Sequence, residues 1–396
     1  MGAGRRLNQA RTGAGPPHVV QVGCDMDPER RDPEATLAAW WTQPAFAQAA
    51  CRAGVEVTVV QAAWRDAVIE RDGVIFHFVR ERFGAGWRRR LGLWATPLPW
   101  SLARRVAELR PQLIHLHSLS FPLHARFLGK RVPNAPVLVQ DHKDGVPPHW
   151  RRSVHRFGLA RIAGTAFTVR VQARPFIDAG VLRADLPVFE LLENSSRFTP
   201  GPQAEARART GLRGDPCLLW LGHLNANKDP LMVLDALGRA AQDLRDPHLW
   251  CCYLTAPLLD QVVERIAADP RLAGRVHLLG PRPRADVEHL LRAADFLVQG
   301  SHVEGSGFAV IEALACGTTP LVTDIPSLRG ITGDGIVGGL CPPGDSGMMA
   351  RLLVQWSARD RSALRAAARD YFERALSFEA IGAQLRTAYD ALLEGG

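Results

Sequence analysis

The sequence contains no apolar run near the roughly 18 residues that a membrane-spanning helix needs, no CxxC pair, no internal repeat and no low-complexity tract. The first absence leaves a globular reading, in keeping with 46% hydrophobic and 22% charged residues. The cysteines, Cys24, Cys51, Cys217, Cys251, Cys252, Cys316 and Cys341, are odd in number and mostly sit inside apolar runs. That excludes a disulfide framework and a thiolate zinc site, and fits a reducing cytoplasm. No groove-reading nucleic-acid motif is present. The opening MGAGRRLNQARTGAGPPH has arginines but no apolar segment behind them, so residues 1–17 are expected to be a disordered tail and not a secretory signal.

At 396 residues the chain exceeds one ordinary hydrophobic core, which predicts two domains of somewhat under ~200 residues each. The formal charge of +8 is uneven, with +10 on residues 1–195 and −2 on residues 196–396. A basic half can serve an anionic substrate, a membrane surface or nucleic acid, or be only a solvated arginine-rich face. Within it, WRRRLGLW (Trp87–Trp94) and HWRRSVHRFGLARIAG (Trp150–Gly164 at its core) set arginines beside tryptophan, phenylalanine and leucine. That mixture suits an anionic lipid surface, and packing plus solvation accounts for it equally.

Apolar, β-branched runs at HVVQVG, VEVTVV, VIFHFV, LIHLH, PVLVQ and AFTVR alternate with helical stretches such as Glu34–Ala53, closed by Gly54. The alternation begins again with CLLWLG, LWCCYL, RVHLLG, DFLVQG and PLVTD, separated by helices such as DPLMVLDALGRAAQDL and RADVEHLLRAA. The pattern predicts an α/β chain with parallel sheets wrapped by helices. Polarity, proline and glycine rise together at Asn194–Pro202, the expected linker. Two doubly wound domains facing a central cleft follow, with ligands beyond the carboxyl ends of the strands.

SHVEGSGFAVIEALACG, Ser301–Gly317, sits at such an end. Gly305 and Gly307 allow backbone to approach a ligand, and Phe308–Ala315 reads as a helix stopped at Gly317. Free amides at the helix start would face an anionic or oxygen-rich group. Glu304 and Glu312 are eight residues apart, which on helical geometry is about 12 Å along the axis and about 80° in azimuth. Two such carboxylates can hydrogen-bond two linked hydroxyl-bearing rings. A helix-start charge plus a solvated glutamate is the plainer reading of the same spacing.

EGSGFAVIEALACG, followed by TPLVTDIPSLRGI and GGLCPPGD, resembles the E-x7-E donor motif of the retaining, nucleotide-sugar-dependent glycosyltransferases of family 4. LWLGHLNANKDPLMVLDAL resembles that family's phosphate-binding segment, and RLAGRVHLLGPRPRADVEHLLRAADFLVQGS its nucleotide-facing region. RPQLIHLHS and PVLVQDHKD resemble two strand ends of its first domain. The likeness runs from about Pro17 to the C-terminus, more strongly in the second half.

The resemblance implies a GT-B fold: a Rossmann-like acceptor-side domain over 18–195, a donor-binding domain over 196–375, and a C-terminal helix in 376–396 crossing back to the first. It implies that Glu304 contacts hydroxyls of the transferred sugar and Glu312 the ribose, while backbone around Gly305, Ser306, Gly307 and Phe308 holds sugar and phosphates. Lys228 would neutralise the leaving diphosphate, and His142 would reach the donor sugar; His117 stays open between the cleft and a structural role. In place of the family's usual arginine five residues before that lysine stands His223, and histidine as a residue type is charged only near or below neutral pH. Where many members carry paired glycines after the first strand, this chain has only Gly23. The DMD of Asp25–Asp27 imitates the metal-binding DxD of the other glycosyltransferase fold, yet the resemblance is to a metal-free architecture, so no metal or other cofactor is expected.

The implied activity is transfer of a hexose-like sugar from a UDP- or GDP-sugar to an acceptor hydroxyl with retention, in cell-surface glycan or glycolipid synthesis. The acceptor would be a glycan, a lipid-linked molecule or a small molecule, and the setting cytoplasmic, with an anionic inner-membrane face as a further partner. A sugar phosphorylase or nucleotide-sugar hydrolase on the same fold, and a non-catalytic glycan- or nucleotide-binding module, are the alternatives. No nucleic-acid partner is expected.

Overall fold

The computed structural model describes residues 15–81 and 99–395, so WRRRLGLW and most of the expected N-terminal tail lie outside the described residues. Among those described, two sheets form. The first contains β1 (His18–Gly23), β2 (Glu56–Ala63), β3 (Ala67–Arg71), β4 (Val74–Arg80), β5 (Leu113–His117), β6 (Val137–Gln140), β7 (Gly164–Phe167) and β8 (Val188–Glu190), in the spatial order β3-β4-β2-β1-β5-β6-β7-β8. The second contains β9 (Cys217–Gly222), β10 (His248–Tyr253), β11 (Val276–Gly280), β12 (Phe296–Gln299), β13 (Thr319–Thr323) and β14 (Gly339–Cys341), in the order β11-β10-β9-β12-β13-β14. Only the β3–β4 pair is antiparallel. Continuous apolar strands such as VLVQ and FLVQ are buried along their whole length, as parallel strands covered on both faces must be. This is a doubly wound α/β fold in two sheets.

Several local expectations are corrected. Glu34–Ala53 is not one helix but two, Pro33–Ala39 and Thr42–Arg52, broken at Trp40–Trp41. The break turns the Trp41 ring out of the first layer to meet Phe308 and Phe378, each with ring centroids 6.4 Å away. AFTVR is not a strand throughout: β7 ends at Phe167, and Arg170–Ala173 forms a 3-10 turn. Strand β3 was not expected, nor were the three-residue strands β8 and β14.

The parallel register sets the strand ends side by side, where loops can converge. Gly23 pairs with Gln61, and His117 with Gln140. The last helix, Phe378–Glu394, lies on Thr42–Arg52, where a Cβ on Gly382 would come within 2.3 Å of the Ala49 carbonyl oxygen. Its Tyr389 hydroxyl meets His115 Nδ1 at 2.8 Å beneath the first sheet's strand ends. The cysteines are free thiols, and burial pushes those of Cys217, Cys251, Cys316 and Cys341 up to about 12.

Candidate active site

Two loops of the second sheet are fastened to each other before any ligand arrives. After β9, the Asn225 carboxamide accepts the Lys228 backbone N–H at 2.9 Å, and Asp229 caps the next helix at Met232. After β12, the His302 backbone N–H donates to the Asn227 carbonyl at 2.8 Å. The Asn227 side chain closes the seam by donating to the Val303 carbonyl at 3.0 Å and accepting from its N–H at 3.1 Å. These bonds bring the Lys228 ammonium onto the Glu304 carboxylate as a largely buried ion pair. Residues 76 positions apart thus meet through two strand ends and one asparagine.

The helix Phe308–Ala315 starts where Gly307 adopts a left-handed φ of +56°. A Cβ there would approach Leu328 to 2.7 Å, so glycine lets the turn close against the helix Pro326–Ile331. Glu312, just over one turn along, is 4% exposed. Its Oε1 lies 2.7 Å from Arg284 Nη1, an ion pair with one buried member. Burial outweighs the nearby guanidinium and pushes the carboxyl up to about 7. Arg284 itself lies over three rings, Phe198 at 4.6 Å, Trp41 at 4.8 Å and Phe308 at 5.2 Å. Through Trp41 it touches the first sheet's layer.

Across the cleft, the DHKD turn after β6 faces the Glu304 loop. The stem of Lys143 crosses Gly305 so closely that a Cβ on that glycine would sit 3.0 Å from Lys143 Cβ. Lys143 holds a left-handed φ of +63°, uncommon for a side-chain-bearing residue, and its N–H is held by the Asp141 carboxylate at 3.1 Å. His142 Nδ1 is 2.9 Å from Glu193, and its Nε2 is 3.0 Å from His117 Nδ1. Burial works against the His142 cation, but the Glu193 hydrogen bond and charge, with Asp144 and Asp141, outweigh it and raise the imidazole above its ordinary value. Burial, with His115 and His142 alongside, keeps His117 well below its ordinary value.

The structure therefore gathers Lys228, Glu304 and Gly305 at one point of the cleft, with Lys143, the neighbour of His142, against Gly305 and Glu312 within the helix that follows. His223 points its Nδ1 to Thr255, 2.9 Å away. Asp27 is engaged within its own loop, accepting from Arg31 Nη1 at 2.9 Å and the Arg31 N–H at 2.7 Å. Sequence reasoning missed Arg284, Trp41, Glu193 and Lys143. Lys143 and Arg284 carried a signal, the first as the residue after His142 and the second within RLAGRVHLLGPRPRADVEHLLRAADFLVQGS, both segments already singled out.

Comparisons with known proteins bear on the family and the fold. Residues 202–371 match the family model described as glycosyl transferases group 1, and residues 45–172 match Glycosyltransferase Family 4. A D-inositol 3-phosphate glycosyltransferase of Frankia alni is 33% identical over 186 residues, 43% of this chain and 45% of that protein. One from Geodermatophilus obscurus is 33% identical over 207 residues, 50% of this chain and 45% of that protein. The matched region thus spans less than half the length of these relatives. Among solved structures, sucrose-phosphate synthase from Thermosynechococcus elongatus superposes with a TM-score of 0.65 at 19% identity, covering 96% of this chain and all of the other. Anabaena Alr3699/HepE in complex with UDP and glucose gives 0.63 at 14% identity, covering 94% and 99%. These structural likenesses speak to the fold, and with the two consecutive family matches they place the chain in glycosyltransferase family 4, built on the GT-B fold.

Proposed function

We propose that the protein moves a hexose-like sugar from a UDP- or GDP-sugar to an acceptor hydroxyl, with retention at the anomeric carbon and without a metal ion. The observation that carries the reading is the pairing of Lys228 with Glu304 at one end of the donor loop and the buried Glu312 carboxylate, ion-paired with Arg284, at the other. A sugar diphosphonucleoside bears a match for each: sugar hydroxyls for Glu304, a diphosphate for Lys228 and the amides of Ser306, Gly307 and Phe308, and ribose hydroxyls for Glu312.

In the proposed reaction the bond from the anomeric carbon to the phosphate oxygen breaks and the acceptor oxygen bonds on the same face. The acceptor proton passes to the departing phosphate oxygen, so the nucleoside diphosphate leaves with it. Negative charge grows on that oxygen as the bond lengthens, and the Lys228 ammonium is the group placed to stabilise it. His142, braced by Glu193, would orient the transferred sugar from the opposite wall, and closure of the cleft would keep water out.

An anionic membrane face remains part of this reading. On the helix His149–Leu159, Trp150, Val154 and Phe157 are all exposed and lie at i, i+4 and i+7, on one face, among Arg151, Arg152 and Arg156. Among the described residues no helix is long and apolar enough to cross a membrane.

Nucleotide release from a panel of UDP- and GDP-sugars, with and without added acceptors, tests the proposal. Acceptor-dependent release with an α-configured product from an α-configured donor is the expected result; inverted product or release independent of every acceptor would overturn it.

A further inference from the structure

Beyond the donor loop, the first sheet's strand ends enclose a separate cavity of about 330 Å³. Gly23 and His117 end their strands in its wall, Gln61 stands two residues short of the end of β2, and His142 and Glu193 line it as well. Its size is at the small end of ligand sites, roughly 300–1,000 Å³, enough for a ring or two. Trp40 and Phe46 give it two flat apolar faces. The rest of its wall is amide, hydroxyl, imidazole and carboxylate.

The charges in that wall have one sign in excess. Asp25 and Glu193 bring carboxylates, and the His142 imidazole is already taken up by Glu193 at 2.9 Å. Among the described residues lining the cavity there is neither an arginine nor a lysine, in a sequence that has 48 of them. A phosphate dianion brought here would lose its water, meet carboxylates, and find no guanidinium or ammonium to replace what it lost. Hydroxyls fare differently. Gln43 donates to Gln61 at 2.8 Å, so one amide pair is already oriented at the wall. His117 Nε2 and Asn194 Oδ1 are buried without a hydrogen-bond partner among the described residues. Such atoms cost about 1–3 kcal/mol each while unsatisfied, and a group that both donates and accepts can relieve them.

We infer that this cavity is the acceptor site and that the ring it takes is uncharged and polyhydroxylated, a hexose or cyclitol bearing no phosphate. The inference rests on the transfer proposed above, and it separates this chain from the matched relatives, which are named for D-inositol 3-phosphate. Ring hydroxyls bond the amides, Asn194 and His117, and the C–H face of the ring lies on Trp40 or Phe46. His142 then stands between acceptor and transferred sugar.

Equilibrium binding decides it without requiring turnover. Ligand-observed NMR on the full chain would compare glucose, galactose, mannose and myo-inositol with glucose 6-phosphate and D-inositol 3-phosphate, each with and without saturating UDP. At least one uncharged ring should bind tenfold or more tightly than its phosphate, and UDP should not displace it. Asp25→Asn with Glu193→Gln should narrow that gap at least threefold by admitting the phosphates. Tighter binding of a phosphorylated ring, displacement of the uncharged ring by UDP, or no binding of any uncharged ring overturns the inference. Binding as expected without acceptor-stimulated nucleotide release would instead overturn the transfer reading and uphold the ligand class of the cavity.

Discussion

Titrating the protein with UDP-glucose between pH 5.5 and 8.5 should show affinity rising with pH and levelling off above about pH 7.5. The titrating group is Glu312, whose carboxyl burial lifts from an ordinary 4.5 to about 7. A ribose hydroxyl donates to a carboxylate better than to a carboxylic acid, so the bound state should hold Glu312 ionised, near its ordinary value. Binding and ionisation are then linked. If the pKa falls by about 2.5 units on binding, affinity at pH 5.5 should be roughly 30-fold weaker than at pH 8. Near pH 6 close to one proton should leave on binding, measurable by calorimetry in buffers of different ionisation enthalpy.

In the free protein the sign is opposite. A raised carboxyl contributes stability that is complete below about pH 4.5 and lost as pH rises through about 7, amounting at most to about 3 kcal/mol. UDP-glucose is the right probe because its diphosphate is esterified at both ends and does not titrate in this range, whereas the terminal phosphate of UDP does. Glu312→Gln should bind roughly 10- to 100-fold more weakly at pH 8, as loss of a charge-assisted hydrogen bond predicts, and should flatten the profile. A parent profile flat between pH 5.5 and 7, or a Glu312→Gln variant that keeps the slope, would refute the reasoning.

Replacing Glu304 by Gln should lower kcat by about 100-fold or more while UDP affinity holds or rises, because the lost contact is to the sugar and Lys228 no longer has a competing carboxylate; parental turnover would remove Glu304 from the site. Lys228→Ala should cut kcat far more than EDTA does, since it withdraws the leaving-group cation and strands the Glu304 charge. Abolition by EDTA with rescue by manganese would promote Asp25 and Asp27 instead. Converting His223 to Arg adds a permanent cation beside the β9 loop and should tighten UDP-glucose binding at pH 8 several-fold, which the same calorimetry reads. Co-sedimentation with anionic vesicles should weaken as salt rises and fall when Trp150 and Phe157 become Ser; equal recovery with neutral vesicles would dismiss the membrane face.

How far the sequence could be read depends on how local each feature is. The helix Phe308–Ala315 was legible at both ends because Gly307 and Gly317 mark them, and both adopt positive φ. Parallel strands were legible because burial on both faces makes them continuously apolar. The β3–β4 hairpin carried a signal that was passed over: Asp72-Gly73, both at positive φ, is the favoured two-residue turn. The helix break at Trp40–Trp41 carried a signal that was passed over too: Pro44 has no N–H for the Trp40 carbonyl and crowds it, so it fits only in the first turn of a new helix, where Thr42–Arg52 places it. What could not be read locally is the use of the break, which sets Trp41 against Phe308 and Phe378, more than 260 residues away. The Arg284–Glu312 pair was hidden for the same reason, its members lying on separate helices whose approach is fixed only by the sheet order.

The two donor-site cations differ in kind, and that difference fits their tasks. Lysine is rare here: only Lys130, Lys143 and Lys228 occur. One of the three pairs with Glu304, and another crosses Gly305 in the same loop. An ammonium is a compact charge on a flexible stem, able to leave a carboxylate for a phosphate at little steric cost. Arg284, by contrast, is planar and sits among three aromatic rings, one contributed by the opposite layer. Moving it means unstacking those contacts, so it is suited to hold the layers together and to temper Glu312, not to follow a leaving group. In the proposed reaction the donor's phosphate and ribose would not enter an empty site: the phosphate would take Lys228 from Glu304, freeing that carboxylate for the sugar. The ribose would compete with Arg284 for Glu312. Each substrate group thus exchanges a partner the free protein already provides, which keeps two buried carboxylates tolerable before the donor arrives.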